Sequence, residues 1–234
     1  MIDIRKFDTL GRANHGWLDA RHHFSFARYH DPARMGFGGI RVINDDLISA
    51  HKGFEPHPHR DMEIITYVRR GAITHKDSQG NEGRTAAGDV QVMSAGSGIV
   101  HAEYNLEDET TNLYQIWIFP RENGIAPRWG QKEFPKVPVK GTLPVLVSGY
   151  DDAPLYINAD ARIYGGKINE GETISHQLAA PSYLLVSEGE IDLNGNVLSR
   201  GDSASITDLD AITIKATSNA EVLVIETGKP SRPH

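Results

Sequence analysis

The sequence predicts an all-β protein built from two tandem domains. Short apolar runs rich in Val, Ile, Thr and Tyr alternate with clusters of Gly, Asn and Asp almost throughout. No long stretch shows the 3.6-residue periodicity of an amphipathic helix. The strand and turn order of the first half also recurs in the second.

Taken in order, the strands of the first half are read from "GGIRVIND", "MEIITYVRRGAITHKD", "GDVQVMSAG" and "LYQIWIFP". Those of the second half are read from "PSYLLVSEGEIDLNG", "GDSASI", "DAITIKA" and "AEVLVIETG". Each run has the length of a strand and ends on residues that favour turns. In the first copy a strand ends at Gly71, a turn falls at Gly80-Asn81, and a new strand follows Gly88-Asp89. In the second copy the same order is marked by Gly189, Asn194-Gly195 and Gly201-Asp202, with a shorter hairpin. Between the copies, "PRENGIAPRWGQKEFPKVPVKGTLP" is rich in Pro and Gly and lacks periodicity. The crossing therefore falls near Lys136 to Gly141, which gives domains at 1–138 and 139–234.

The chain has 234 residues, enough for two small β domains with real cores. Its formal net charge of -7 argues against direct nucleic-acid binding, which wants a basic surface. With no cysteine there is neither a disulfide nor thiolate chemistry. The N-terminal "MIDIRKFDTLGRANHG" has no apolar core of a signal peptide, and no run is long enough to span a membrane. A cytoplasmic protein is expected.

Two polar pairs stand out. "EPHPHRDMEI" carries His57 and His59 at an i, i+2 spacing, which points both imidazoles to one side of an extended strand, and Glu63 follows four residues later. Pro56 and Pro58 suit an edge or irregular strand at a cavity mouth. "SAGSGIVHAEYN" repeats the spacing with His101 and Glu103. Facing one barrel interior, three imidazoles and a carboxylate make an open transition-metal site. Without thiolate, that donor set favours Fe, Mn, Co, Ni, Cu or Zn over Ca. Strand parity leaves open whether Glu63 or Glu103 is the carboxylate ligand.

"GFEPHPHRDMEIITYVRRG" resembles the first cupin motif, with Gly53 closer to His57 than usual and seven residues between Glu63 and Gly71. "GDVQVMSAGSGIVHAEYN" resembles the second, with Ser94 in place of Pro and Asn105 in register. Together with "HFSFARYHDPARMGFGGIRVINDD", these stretches look like the pirin family, in particular its bacterial quercetin 2,3-dioxygenase-like members. The resemblance is dense from about His22 to Pro127 and extends to the second half only through architecture. It implies a bicupin, two jelly-roll-type antiparallel barrels with a metal in the first and none in the degenerate second.

The resemblance also implies the ligands His57, His59, His101 and Glu103, holding one divalent metal, Fe(II) foremost. Glu63 then becomes a supporting or acid–base group, with Glu103 as the proton-handling carboxylate at the metal. The implied activity is oxidative opening of a flavonol such as quercetin by O₂, the small aromatic substrate chelating the metal. The alternative is a metal- or redox-sensing protein that regulates a partner enzyme or transcription factor. A monomer is expected.

Other residues receive plainer readings. His15, His22, His23 and His30 are expected to be solvated or hydrogen-bonded, and His22, Phe24 and Phe26 would share a face near the cavity. His51 and His75 lack partners at ligand spacing and are taken as structural. "LYQIWIFP" reads as a core strand, with Gln115 as a donor to the site the lesser reading. In the second copy only His176 falls near the first-motif position, and "DLDAITIKAT" offers no ligand at the second.

Overall fold

The computed structural model describes residues 1–228 and is almost entirely β. A single 3₁₀ turn at Phe7–Thr9 is the one helical segment among the described residues, and no helix among them is long and apolar enough to cross a membrane. The chain divides into two compact units.

The first strand, β1 (Ile2–Arg5), belongs to the second unit and is described with it. The first unit spans Gly11–Phe134 and includes Leu155–Asp160. Its strands are β2 (Gly11–Asn14), β3 (Leu18–His22), β4 (Ile40–Ile48), β5 (Lys52–His59), β6 (Glu63–Arg70) and β7 (Ala72–Asp77). They continue with β8 (Glu82–Ala86), β9 (Val90–Ser94), β10 (Ile99–Asn105), β11 (Thr111–Ile118) and β12 (Arg128–Lys132). One antiparallel sheet runs β12-β9-β6-β11-β4-β3-β2 and the other β5-β10-β7-β8. Between them lies an apolar floor of Leu18, Ile48, Val68, Ile73 and Leu113.

The central strands β6 and β11 are buried on both faces, with only Gln115 and Trp117 of β11 half-buried and Arg70 at the end of β6 exposed. Arg69 pairs with Asp45 at 2.5 Å and lies over the Tyr114 ring, 4.5 Å from its centroid. Strand β5 is an edge, as Pro56 and Pro58 require, and its burial alternates so that both prolines face solvent while His57 and His59 turn inward.

The second unit comprises Met1–Leu10, Pro135–Pro154 and the described residues from 161 to 228. After β13 (Val145–Ser148), the short β14 (Leu155–Tyr156) belongs to the first unit. The chain then forms β15 (Ala161–Ile168), β16 (Thr173–Gln177), β17 (Ser182–Glu188), β18 (Glu190–Leu193), β19 (Asn196–Ser199), β20 (Ser203–Ile206), β21 (Ala211–Ala216) and β22 (Ala220–Thr227). In one sheet β1, β20, β17, β22, β15 and β13 lie side by side, and the other runs β16-β21-β18-β19.

Two units are therefore present, but they are not colinear with 1–138 and 139–234. Strand β1 pairs along the edge of β20, Ile2 opposite Ile206, and Ile2 and Ile4 pack on the apolar core of the second unit. That pairing spans nearly the whole chain, so no local pattern announces it.

The repeat has a backbone cause. Gly71 and Gly189 both adopt positive φ, at 75° and 74°, between consecutive strands. A Cβ at Gly189 would sit 2.1 Å from the Asn219 carbonyl oxygen, so only glycine fits. Asn194 and Gly195, both at positive φ, close the two-residue hairpin from β18 to β19.

Candidate metal centre

Three histidines converge on the inner side of β5 and β10. His101 stands directly opposite His57 in the ladder, and a bulge separates it from Glu103. The ring centroids of His57, His59 and His101 lie 4.5–5.0 Å apart. One ring nitrogen from each lies within 4.8 Å of the others. The Nδ1 of His57 sits 2.7 Å from the Glu55 carbonyl oxygen, so Nδ1 carries a proton and Nε2 is the atom left to ligate. The Nε2 atoms of His59 and His101 are buried with no hydrogen-bond partner. Orphaned buried nitrogens of this kind fit a metal.

Burial, reinforced by the neighbouring imidazoles, pushes the pKa of His59 down to about 4 and that of His101 down to about 3. Both rings are therefore neutral near pH 7 and can ligate without first losing a proton.

Glu103 forms a second grouping with His75 and His101, so His101 is common to both. Its carboxylate is 2 % exposed and held from three strands. Gln91 of β9 donates to Oε1 at 2.6 Å, Gln115 of β11 donates to Oε2 at 2.7 Å, and Thr66 of β6 donates to Oε1 at 3.3 Å. The Trp117 indole donates in turn to the Gln115 carbonyl at 3.2 Å. Gln115 thus serves the site rather than filling core. The buried neighbours Tyr114, Ile116 and Ile118 supply the core face of that strand.

Above the site opens a cavity of about 590 Å³ whose walls include His57, His59, Trp17, Phe26, Phe54 and Trp117. Trp117 stands edge-on to His59 at 4.9 Å, and Phe26 edge-on to Trp117 at 5.5 Å. His22 Nδ1–H donates to Asn44 Oδ1 at 2.8 Å, and its ring lies 5.5 Å from that of Phe26. Phe24 is buried elsewhere, under Arg34. His15 and His30 are exposed, and His23 is buried.

Glu63 stands apart from this cluster. It lies three residues before Thr66 on β6, hence on the opposite face from the site. Its buried Oε2 accepts Ser94 Oγ–H at 2.7 Å and the Asn158 backbone N–H at 3.1 Å. It ties the Leu155–Asp160 segment to its own unit. Burial raises its pKa, and the bonds from Ser94 and Asn158 oppose that rise. Asp61, at a φ of 47°, turns the chain between His59 and Glu63, so strand parity does not carry across.

His75, structural by its sequence spacing, stands beside this cluster. It is 1 % exposed and its Nδ1 lies 3.4 Å from Nδ1 of His101. In the second unit, His176 lies 3.6 Å from Glu226, and an apolar cluster including Ile191, Ile212 and Ile214 fills the interior.

The chain is similar to known proteins along most of its length. Residues 4–118 match the Pirin family model and residues 145–227 match the Quercetinase C-terminal cupin domain. The chain is 55% identical over 230 residues to a pirin-like protein of Caulobacter vibrioides, covering 97% of this chain and 99% of that protein. It is 47% identical over 229 residues to a quercetin 2,3-dioxygenase of Escherichia coli, covering 97% and 98%. Among solved structures, it resembles the bacterial pirin YhhW of Escherichia coli in complex with nickel(II), at a TM-score of 0.90 and 45% identity, covering 98% and 100%.

Proposed function

The chain belongs to the pirin family, and from that premise we propose that it is a metal-dependent dioxygenase that opens the heterocycle of a flavonol such as quercetin. The metal would be held by His57, His59 and His101, with Glu103 as the carboxylate beside His101. The observation that carries the proposal is the cluster of three imidazoles, two of which, His57 and His59, stand on the wall of a cavity lined by aromatic rings.

A divalent transition metal at this position supplies a Lewis acid that lowers the pKa of a chelating hydroxyl. The chain's own residues do the rest. Trp117, Phe26, Trp17 and Phe54 offer planar apolar surface to an aromatic substrate and exclude water from it. His57 and His59 project from an edge strand at the mouth, so the substrate's oxygens approach from the open side. Glu103, oriented by Gln91 and Gln115, accepts the hydroxyl proton. O₂ is the oxidant, the heterocycle opens, and carbon monoxide leaves.

The relative crystallised with nickel(II) supports metal binding by this architecture and leaves the native ion open. Fe(II) is the first ion to test, followed by Cu, Mn, Co, Ni and Zn. Protein stripped of metal and reloaded with each ion is given quercetin, with O₂ uptake and carbon monoxide release as the readout. Turnover with at least one ion is expected, and none with any of them sinks the proposal. A stable complex with a cellular protein that changes with the metal's oxidation state, without turnover, would mark a regulator instead.

A further inference from the structure

His75 and Asp77 lie at i, i+2 on β7, beside β10, with Asp77 opposite His101 and His75 opposite Glu103. Asp77 Oδ1 accepts the backbone N–H of Gln79 at 2.9 Å and of Asn81 at 3.1 Å. Its Oδ2 accepts Asn81 Nδ2 at 3.0 Å and stands 2.9 Å from His75 Nε2. A carboxylate receiving that many donors serves as an acceptor only, so His75 carries its proton on Nε2. His75 Nδ1 is then a lone pair, and it faces His101 Nδ1 at 3.4 Å. His101 must supply the proton there, which leaves its Nε2 bare. That Nε2 is one of the buried atoms with no hydrogen-bond partner. Trp129 stacks on the His75 ring at 4.9 Å and 9°, which holds the ring's plane.

We propose that Asp77, acting through His75, is a positioning residue that sets the tautomer and orientation of His101 and so keeps Nε2 available to the metal. This rests on the reading that His57, His59 and His101 bind a metal. His57 needs no such device, because a backbone carbonyl already fixes its Nδ1–H. His101 has a side-chain chain instead, running from the turn at 78–81 through Asp77 and His75. An outer carboxylate of this kind fixes a ligating imidazole and raises its basicity.

The test is Asp77→Asn. Its carboxamide keeps an oxygen for the turn and presents an NH₂ to His75 Nε2. His75 must then carry its proton on Nδ1, which opposes the Nδ1–H of His101. Ni(II) titrated into metal-free protein by calorimetry should bind the variant about 10–100-fold more weakly than wild type. In parallel, ¹⁵N NMR of the metal-free wild type should show the proton on Nε2 of His75 and on Nδ1 of His101. The His75 assignment should invert in Asp77→Asn.

Asn81→Ala loosens the same turn while leaving Asp77 on His75, and should bind Ni(II) as wild type does. A wild-type His101 protonated on Nε2 overturns the proposal. So does an Asn81→Ala variant as impaired as Asp77→Asn, since that would mark a role in the turn alone. Failure of the wild type to take up Ni(II) would count against the metal reading, and the NMR result would still decide the tautomers.

Discussion

Glu63→Ala and Glu103→Ala should fail in different ways. Glu63 is fully buried, and its Oε2 satisfies Ser94 and the Asn158 backbone. Truncation strands two donors, at about 1–3 kcal/mol for each buried group left unpaired. Two effects offset this. The Ser94 hydroxyl can rotate, and removing the carboxylate also removes the burial cost that its raised pKa expresses. A net loss of about 2 kcal/mol is expected, which lowers Tm by roughly 4–8 °C. Metal affinity should not change, because the carboxylate lies on the far face of β6.

Glu103→Ala removes the carboxylate that Gln91, Gln115 and Thr66 converge on. Ni(II) affinity should fall beyond the roughly 10–100-fold that loss of an outer partner brings. Thermal melting of the metal-free proteins and calorimetric Ni(II) titration read the two effects separately. A Glu63→Ala protein that no longer binds Ni(II), beside a Glu103→Ala protein that still does, would refute the assignment.

Three further outcomes are expected. Replacing Gln91 and Gln115 together by Leu leaves the Glu103 carboxylate with Thr66 alone and should weaken Ni(II) binding by about 10–100-fold in the same titration. Arg69→Met leaves Asp45 buried with the Asn112 amide but without its ion-pair partner, and should cost about 3–5 kcal/mol in denaturant unfolding. Burial lowers the pKa of His23 from 6.5 to about 4. Between those values the unfolded chain binds a proton that the folded chain does not, so stability contributed by the neutral ring is lost as pH falls from 6.5 toward 4. The full span is worth about 3 kcal/mol. Because buried Asp46 and Glu63, with raised pKa values, act in the opposite sense, the measurement is the difference between wild type and His23→Gln. That difference should shrink by about this amount on acidification, and a flat difference would refute the assignment to His23.

What was legible in the sequence depended on local spacing. The His57–His59 and His101–Glu103 pairs could be read because i, i+2 positions share a strand face, and the two strands that carry them pair side by side, with His101 opposite His57. The duplication could be read because Gly71 and Gly189 both need positive φ. Placement across strands could not be read in the same way. Parity failed for Glu63 because the chain turns at Asp61, and His75 looked partnerless because its partner His101 lies on a neighbouring strand.

Comparing the two copies recovers part of what was missed. Five residues before Gly71 stands Thr66, and five before Gly189 stands Leu184. Four residues after each glycine stand His75 and Leu193, and two after each Gly-Asp pair stand Gln91 and Ala204. Leu184, Leu193 and Ala204 all lie in the apolar core of the second unit at 0 % exposure. Their counterparts in the first unit bond to Glu103 or face His101. Burying polar groups costs free energy unless each finds a partner. The second copy avoids that cost with aliphatic side chains, whereas the first accepts it at each position that touches the carboxylate or an imidazole of the proposed metal site.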